Sequence, residues 1–206
     1  MELWIPFVLA ATLICIIPGP TILLVISQAV THGRRSVVPL VAGVVIGDFT
    51  AMTLSLLGLG ALMSASAALF NIFKWIGALY LIYLGIKLWK LNPKNNSFQY
   101  NEKNTSARSL LKSSFIVTAL NPKSIAFFVA FLPQFIDPLK PALSQFTLLG
   151  GTFLLLATLN AALYAIFAGQ VGEYMRKRNV RKWFNRCGGS ALIGAGIFTA
   201  AMQRST

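Results

Sequence analysis

The chain has 206 residues, of which 56% are hydrophobic, and its 18 basic and 5 acidic side chains give a formal net charge of +13. Apolar runs recur along almost the whole length, which excludes an ordinary soluble domain and predicts a polytopic membrane protein. Two separated cysteines and one histidine offer no credible metal cluster, and no cofactor is expected.

Runs of about 20 apolar residues predict six transmembrane helices in one membrane domain. The predicted spans are residues 3–28, 37–63, 69–89, 111–136, 143–171 and 184–202. We do not expect the first span to be a cleaved signal peptide, because Glu2 replaces the usual basic segment and no small-residue cleavage site follows. The expected fold is therefore an all-α integral membrane protein.

The first and fourth spans each contain proline where a continuous helix would be expected. The two motifs are Pro18-Gly19-Pro20 and Asn121-Pro122-Lys123. A proline inside a helix removes one hydrogen bond and costs about 3 kcal/mol or more, and hydrocarbon cannot replace the lost bond. Asparagine is a favoured N-cap and proline a favoured first helical residue, so we expect new half-helices to begin at Pro20 and Pro122. Their amino termini would favour an anion such as a carboxylate.

The second and fifth spans each carry an isolated polar residue near the middle, Asp48 and Asn160. At about 1.5 Å per residue, both lie at a depth similar to that of the two proline breaks. Asp48 is the only carboxylate deep in a predicted span, where a charge is costly and is kept mainly for a function or a partner. Two interpretations are open: Asp48 carries a proton, or it forms a buried ion pair with Lys123 that fixes packing.

Most of the basic residues fall in the first, third and fifth connections between spans, which lie on one side of the membrane if there are six spans. They are Arg34, Arg35, Lys87, Lys90, Lys94, Lys103, Arg108, Lys112, Arg176, Lys177, Arg178, Arg181, Lys182 and Arg186. The positive-inside rule makes this side cytoplasmic and places both termini outside. Basic loops of this kind follow from membrane insertion, so no nucleic-acid partner is expected.

The polar stretch 92–109 is interpreted as a cytoplasmic linker between two three-span halves, residues 1–91 and 110–206. Three spans per half force the halves into opposite orientations, which predicts an inverted 3+3 repeat with broken first and fourth helices. Broken segments in matching positions point to a transporter's binding site. Six glycines are interpreted as positions of close helix packing: Gly43, Gly47, Gly188, Gly189, Gly194 and Gly196.

Five short motifs follow one another in the chain: Pro18-Gly19-Pro20, Gly47-Asp48, Tyr80-Leu81-Ile82-Tyr83-Leu84-Gly85, Asn121-Pro122-Lys123 and Phe131-Leu132-Pro133-Gln134-Phe135. In this order, and over nearly the whole length, the chain resembles the LysE/RhtB family of bacterial amino-acid exporters. The resemblance implies export of an amino acid or a close derivative, such as homoserine, threonine, leucine or lysine, across the bacterial inner (plasma) membrane with the proton gradient. Thr21 stands where this family often has an acidic residue or asparagine.

The expected substrate-binding residues are Pro18, Gly19, Pro20, Thr21, Asn121, Pro122, Lys123 and Asn160, with Asp48 as the proton-coupling residue. In this hypothesis the substrate carboxylate meets Lys123 and a half-helix amino terminus, while its ammonium meets Asp48 or carbonyls freed at the first break. An enzyme is not expected, because Asp48 has no second carboxylate or histidine at its depth. The alternative function is a membrane-embedded sensor or scaffold that binds a ligand without moving it, and a homo-oligomer is left open.

Overall fold

The computed structural model describes residues 4–65, 67–90, 106–137, 140–176 and 178–201. Within these ranges the regular structure is helical, as predicted. The helices are α1 Trp4–Ile16, α2 Pro20–His32, α3 Val37–Ala65, α4 Ala67–Lys90, α5 Ala107–Ala119, α6 Pro122–Ala126, α7 Ala142–Ile166, α8 Ala168–Arg176 and α9 Arg178–Ala201. A 3₁₀ turn, Gly33–Ser36, joins α2 to α3, and α6 continues through a π turn, Phe127–Phe131, and a 3₁₀ turn, Leu132–Phe135.

Both helix breaks occur where the sequence predicts them. Helix α2 begins at Pro20, and Gly19 precedes it in an extended conformation with φ −101° and ψ −170°. Helix α6 begins at Pro122, and the Asn121 side-chain oxygen accepts a hydrogen bond from the Lys123 backbone N–H at 3.1 Å. The N-cap supplies an acceptor for an amide that has no helical partner, while proline occupies a position that needs no donor. The predicted starts of both half-helices are confirmed.

The end of the fifth predicted span differs from the structure. The sequence predicts one span over 143–171, but α7 ends at Ile166 and the chain bends at Phe167 before α8. Helix α8 is short and carries polar residues such as Glu173, which is exposed. This segment therefore does not continue the long apolar helix α7. In the last span, α9 begins at Arg178, six residues before the predicted start, because arginine and lysine are good helix formers.

The described residues have the helix lengths and surface of a membrane protein. Three segments are long and apolar enough to cross a bilayer, Pro20–Gly58, Ala107–Phe135 and Ala142–Ile166, and α1 is a shorter apolar helix. Large hydrophobic side chains such as Leu9 and Leu155 are exposed, as a lipid-facing surface requires. Most of the predicted linker 92–109 and both chain ends lie outside the described residues. The count of six spans stays a prediction.

Two apolar clusters fill the interior. The aromatic core contains Phe7, Phe127, Phe128, Phe131, Phe135 and Phe153, with neighbouring rings 4.8–6.0 Å apart. The aliphatic core contains Ile22, Val25, Ile26, Ala29, Leu40, Val44, Leu110, Ala161, Ala165 and Ala168. The aliphatic core lies on the side where α2 joins α3 and α5 begins, which we call the basic end because it carries Arg34, Arg35, Arg108 and Lys112.

Glycines allow two pairs of helices to approach closely. Helix α3 crosses α5 at Gly43 and Gly47, and a Cβ atom on Gly47 would lie 2.7 Å from the Thr118 Cβ and 2.9 Å from the Phe115 carbonyl oxygen. Helix α9 packs on α4 and neighbouring residues through Gly188, Gly189 and Gly196. The packing prediction is wrong for Gly194, whose Cβ position has no described atom within 4 Å.

Candidate functional site

A cavity lies where the two helix breaks approach each other. About 420 Å³ of space there is not occupied by protein atoms, but this figure includes open solvent; the cavity itself has a volume of about 40 Å³, below the range of about 300–1,000 Å³ typical of small-molecule sites, so its lining must move apart to admit an amino acid. The cavity lies between the aromatic core and the aliphatic core. Its lining residues are Ile14, Cys15, Thr21, Ile22, Val44, Asp48, Asn121, Lys123, Ser124, Phe127, Phe153, Ala157 and Asn160.

The Lys123 ammonium group binds the broken end of α1. Its Nζ atom donates to the carbonyl oxygens of Ile14, at 2.9 Å, and Ile17, at 2.8 Å. A helix end leaves its last carbonyls without amide donors, and Pro18 and Pro20 supply none. Lys123 therefore replaces part of the hydrogen bonding that the first break removes.

Two side chains of α7 bind the carbonyls of Cys15 and Ile16, which lie between those of Ile14 and Ile17. The Asn160 side-chain amide donates to the Cys15 carbonyl oxygen at 2.9 Å, and the Tyr164 hydroxyl donates to the Ile16 carbonyl oxygen at 2.7 Å. Asn160 and Tyr164 are four residues apart and share one face of their helix. Protein donors therefore bind each of these carbonyls once, and the hypothesis that the substrate ammonium meets carbonyls freed at the first break stays a prediction.

Thr21 connects the start of α2 to the second break. Its hydroxyl oxygen accepts hydrogen bonds from the Asn121 amide at 3.1 Å and from the Thr118 hydroxyl at 3.3 Å. The Lys123 side chain also passes close to Gly19, where an added Cβ would lie 3.2 Å from Nζ. The two breaks are thus held together by donors from the second break and acceptors at the first break and the start of α2.

Asp48 faces the same cavity from α3. The residue is 5% exposed, and its Oδ1 atom has no hydrogen-bond partner in the part of the chain that the structure describes. Among the described side chains, Asp48 and Lys123 form no direct ion pair, so the interpretation as a packing ion pair is not observed. The cavity thus presents one basic and one acidic side chain at separate positions of its lining.

The sequence-predicted residues divide into two groups. Five of them line the cavity: Thr21, Asp48, Asn121, Lys123 and Asn160. The other four shape it by ending or starting helices: Pro18, Gly19, Pro20 and Pro122. Sequence reasoning missed Cys15, Ser124, Phe127 and Phe153 as lining residues. Ser124 could have been found because it follows Lys123 in the new helix, but the two phenylalanines carry no signal that separates them from the core.

Comparisons with known proteins agree over almost the entire chain. The family model described as LysE type translocator matches residues 12–203. An uncharacterized membrane protein of Vibrio cholerae is 33% identical over 203 residues, covering 98% of each chain. A homoserine/homoserine lactone efflux protein of Salmonella typhimurium is 32% identical over 204 residues, covering 99% of this chain and 98% of that protein. A leucine efflux protein of Enterobacter is 34% identical over 206 residues, covering 96% of this chain and 94% of that protein.

No solved structure matches the chain. The family model covers far more than half of the sequence. Translocators carry their substrate through the membrane unchanged, so the protein is a transporter and not an enzyme. The chain belongs to the LysE type translocator family.

Proposed function

We propose that this protein exports an amino acid or a close derivative from the cytoplasm and that proton antiport drives the export. The observation that carries the proposal is the cavity between the two broken helices, whose lining includes both Lys123 and Asp48. Opposite charges at separate positions fit a zwitterion, which carries a carboxylate and an ammonium on one carbon. The names of the relatives, which describe efflux of homoserine or leucine, support the same substrate class.

The substrate carboxylate binds next to Lys123. A lysine ammonium has three donors, and the carbonyls of Ile14 and Ile17 take two of them. One N–H remains for a substrate oxygen. The first backbone amides of α2, including that of Thr21, have no helical acceptor and add donors at the same side of the cavity.

The substrate ammonium binds Asp48, whose Oδ1 has no other partner among the described residues. A proton arriving from outside neutralises the carboxylate and weakens its contact with the ammonium, so the amino acid leaves outward. When Asp48 later releases its proton to the cytoplasm, the site binds again. One elementary charge moved through 100 mV supplies about 2.3 kcal/mol, which is roughly fifty-fold in concentration.

Alternating access comes from an inverted 3+3 repeat of six spans. The packing of the described helices supports it: α7 packs on α1 and α2, α3 packs on α5 and α6, and α4 packs on α9. If the two halves of the chain are exchanged, the packing of α7 on α1 and α2 becomes the packing of α3 on α5 and α6. The packing of α4 on α9 stays the same. Rocking of the halves around the cavity would open it to each side in turn, with the basic end in the cytoplasm and both termini outside.

A flux experiment tests the proposal. Purified protein is reconstituted into vesicles loaded with one of a panel of labelled amino acids that includes homoserine, leucine, threonine and lysine. We expect protein-dependent efflux of at least one compound. We expect the rate of efflux to increase when a proton gradient drives protons into the vesicles, opposite to the movement of the amino acid. Binding without flux for the whole panel would favour the sensor or scaffold. Flux that ignores the gradient would leave export but remove proton antiport.

A further inference from the structure

Buried polar side chains are distributed unequally on the two sides of the cavity. Among the described residues, those at the cavity are Thr21, Asp48, Asn121 and Ser124, and those toward the basic end are Gln28, Ser36, Ser114 and Thr118. On the side of the aromatic core the corresponding set contains Thr199. The interior between the cavity and the basic end is therefore the more polar half.

Gln28 is the most unusual member of this set. Its side chain is 0% exposed, and neither Nε2 nor Oε1 has a hydrogen-bond partner among the residues that the structure describes. Burial of an unpaired amide is unfavourable, so a protein rarely keeps one without a use. An unpaired donor and an unpaired acceptor on one side chain are available for a ligand.

The position of Gln28 connects it to the cavity. It follows Thr21 by seven residues, or two helical turns, so both lie on the same face of α2 about 10 Å apart along the axis. Thr21 lines the cavity, and Gln28 lies from there toward the basic end.

Helix α5 presents hydroxyl groups along the same route. Thr118 contacts Thr21, and Ser114 lies one turn closer to the basic end. The Ser114 hydroxyl donates to carbonyls of its own helix, those of Leu110 and Leu111. On this route the unpaired donor and acceptor belong to Gln28.

We propose that Gln28 is a second subsite for a zwitterionic amino acid, located between the basic end and the midplane cavity. A primary amide donates through Nε2 to a carboxylate and accepts at Oε1 from an ammonium, so one side chain pairs with both charged groups of the substrate. In the conformation described here the subsite is closed, and movement of α2 against α5 and α8 opens it during loading. This inference rests on the proposed export function and identifies a residue on the loading route.

The test is the substitution Gln28→Met, which preserves an unbranched side chain of similar length and removes the amide. We expect an unfolding temperature equal to or higher than that of the wild type, because an unpaired buried amide is lost. Efflux at low concentration of the labelled amino acid should fall about ten-fold or more, with most of the effect in KM on the loading side. A purely structural glutamine would not show this separation of stability from KM.

Thr199→Val is the matched control, because Thr199 Oγ1 is also buried and unpartnered among the described residues but lies on the opposite side of the cavity. We expect unchanged flux for this variant. Gln28→Asn retains the amide and should recover part of the flux that Gln28→Met loses.

The other possible results separate the Gln28 subsite from the proposed export function. Equal flux for wild type and Gln28→Met would overturn the subsite while leaving export intact. Failure of Gln28→Met to fold would also overturn it, since the amide would then stabilise the protein. If the wild type moves none of the labelled amino acids, the proposed export function fails and the subsite fails with it.

Discussion

The ammonium nitrogen of Lys123 lies 2.8 Å from the carbonyl oxygen of Ile17, which is 106 positions earlier in the chain. The donor stands at the start of the half-helix that follows the second break, and the acceptor stands just beyond the helix that precedes the first break. The first break thus depends on the second. The Pro18-Gly19-Pro20 motif, which would be costly alone, becomes compatible with an apolar environment because the Lys123 side chain satisfies two of the carbonyls at this break.

Lys123→Met should lower both stability and export. Methionine fills much of the same space but donates no hydrogen bond, so the carbonyls of Ile14 and Ile17 would remain buried without their donor. We expect a loss of about 1–3 kcal/mol for each carbonyl that finds no water, measured by unfolding in detergent. Vesicle efflux should be abolished.

The control for this variant is Lys140→Met, because Lys140 is exposed and pairs with Asp137 at 2.9 Å. An exposed ion pair contributes about 0–1 kcal/mol, so stability and flux should change little. A Lys123→Met protein as stable as the wild type would contradict the stabilising role.

Asp48→Asn should keep the protein folded and abolish the response to a pH gradient. Asparagine has nearly the same shape as aspartate, but its side-chain amide does not bind and release a proton as a carboxylate does. Efflux from vesicles is measured with and without the gradient, and Glu173→Gln, an exposed acidic residue on α8, is the control. Gradient-driven efflux by Asp48→Asn equal to that of the wild type would exclude Asp48 as the proton carrier.

Occupancy of the cavity should protect Cys15 from a small thiol reagent. Cys15 lines the cavity, whereas Cys187 is exposed, so the experiment uses a Cys187→Ala background. We expect a transported amino acid to slow modification of Cys15 about in proportion to its occupancy, measured by mass spectrometry of the intact protein. An amino acid that is not transported serves as the control. Equal modification rates with and without transported substrate would place its binding elsewhere.

Gly47→Ala should destabilise the contact between α3 and α5. The new methyl group would lie 2.7 Å from the Thr118 Cβ and 2.9 Å from the Phe115 carbonyl oxygen, so the helices must separate. Overpacking of this kind costs about 1–3 kcal/mol.

Gly58→Ala in the same helix is the control, because the Cβ position of Gly58 has no described atom within 4 Å. Alanine there should stabilise the helix by about 0.5–1 kcal/mol. Thermal unfolding in detergent compares the two, and equal unfolding temperatures would show that this helix contact is loose.

The local features of this protein follow from its sequence. The sequence predicts the starts of α2 and α6 at Pro20 and Pro122 and the N-cap at Asn121, because capping and proline act within a single helical turn. Asp48 and Asn160 were identified as exceptional by the cost of polar groups in an apolar span. The membrane class and the family motifs likewise follow from the sequence alone, because they depend on composition and on the order of short motifs along the chain.

Tertiary structure alone decided which groups meet. The carbonyls of Cys15 and Ile16 are bound by Asn160 and Tyr164 of α7, more than a hundred positions later, and this depends on the rotation and spacing of packed helices. Phe127 lines the cavity because of the same helix packing, and nothing in the sequence around it distinguishes it from a phenylalanine of the core. Composition and local hydrogen bonding set where helices break, but the fate of the freed carbonyls depends on contacts between distant segments, which no local pattern encodes.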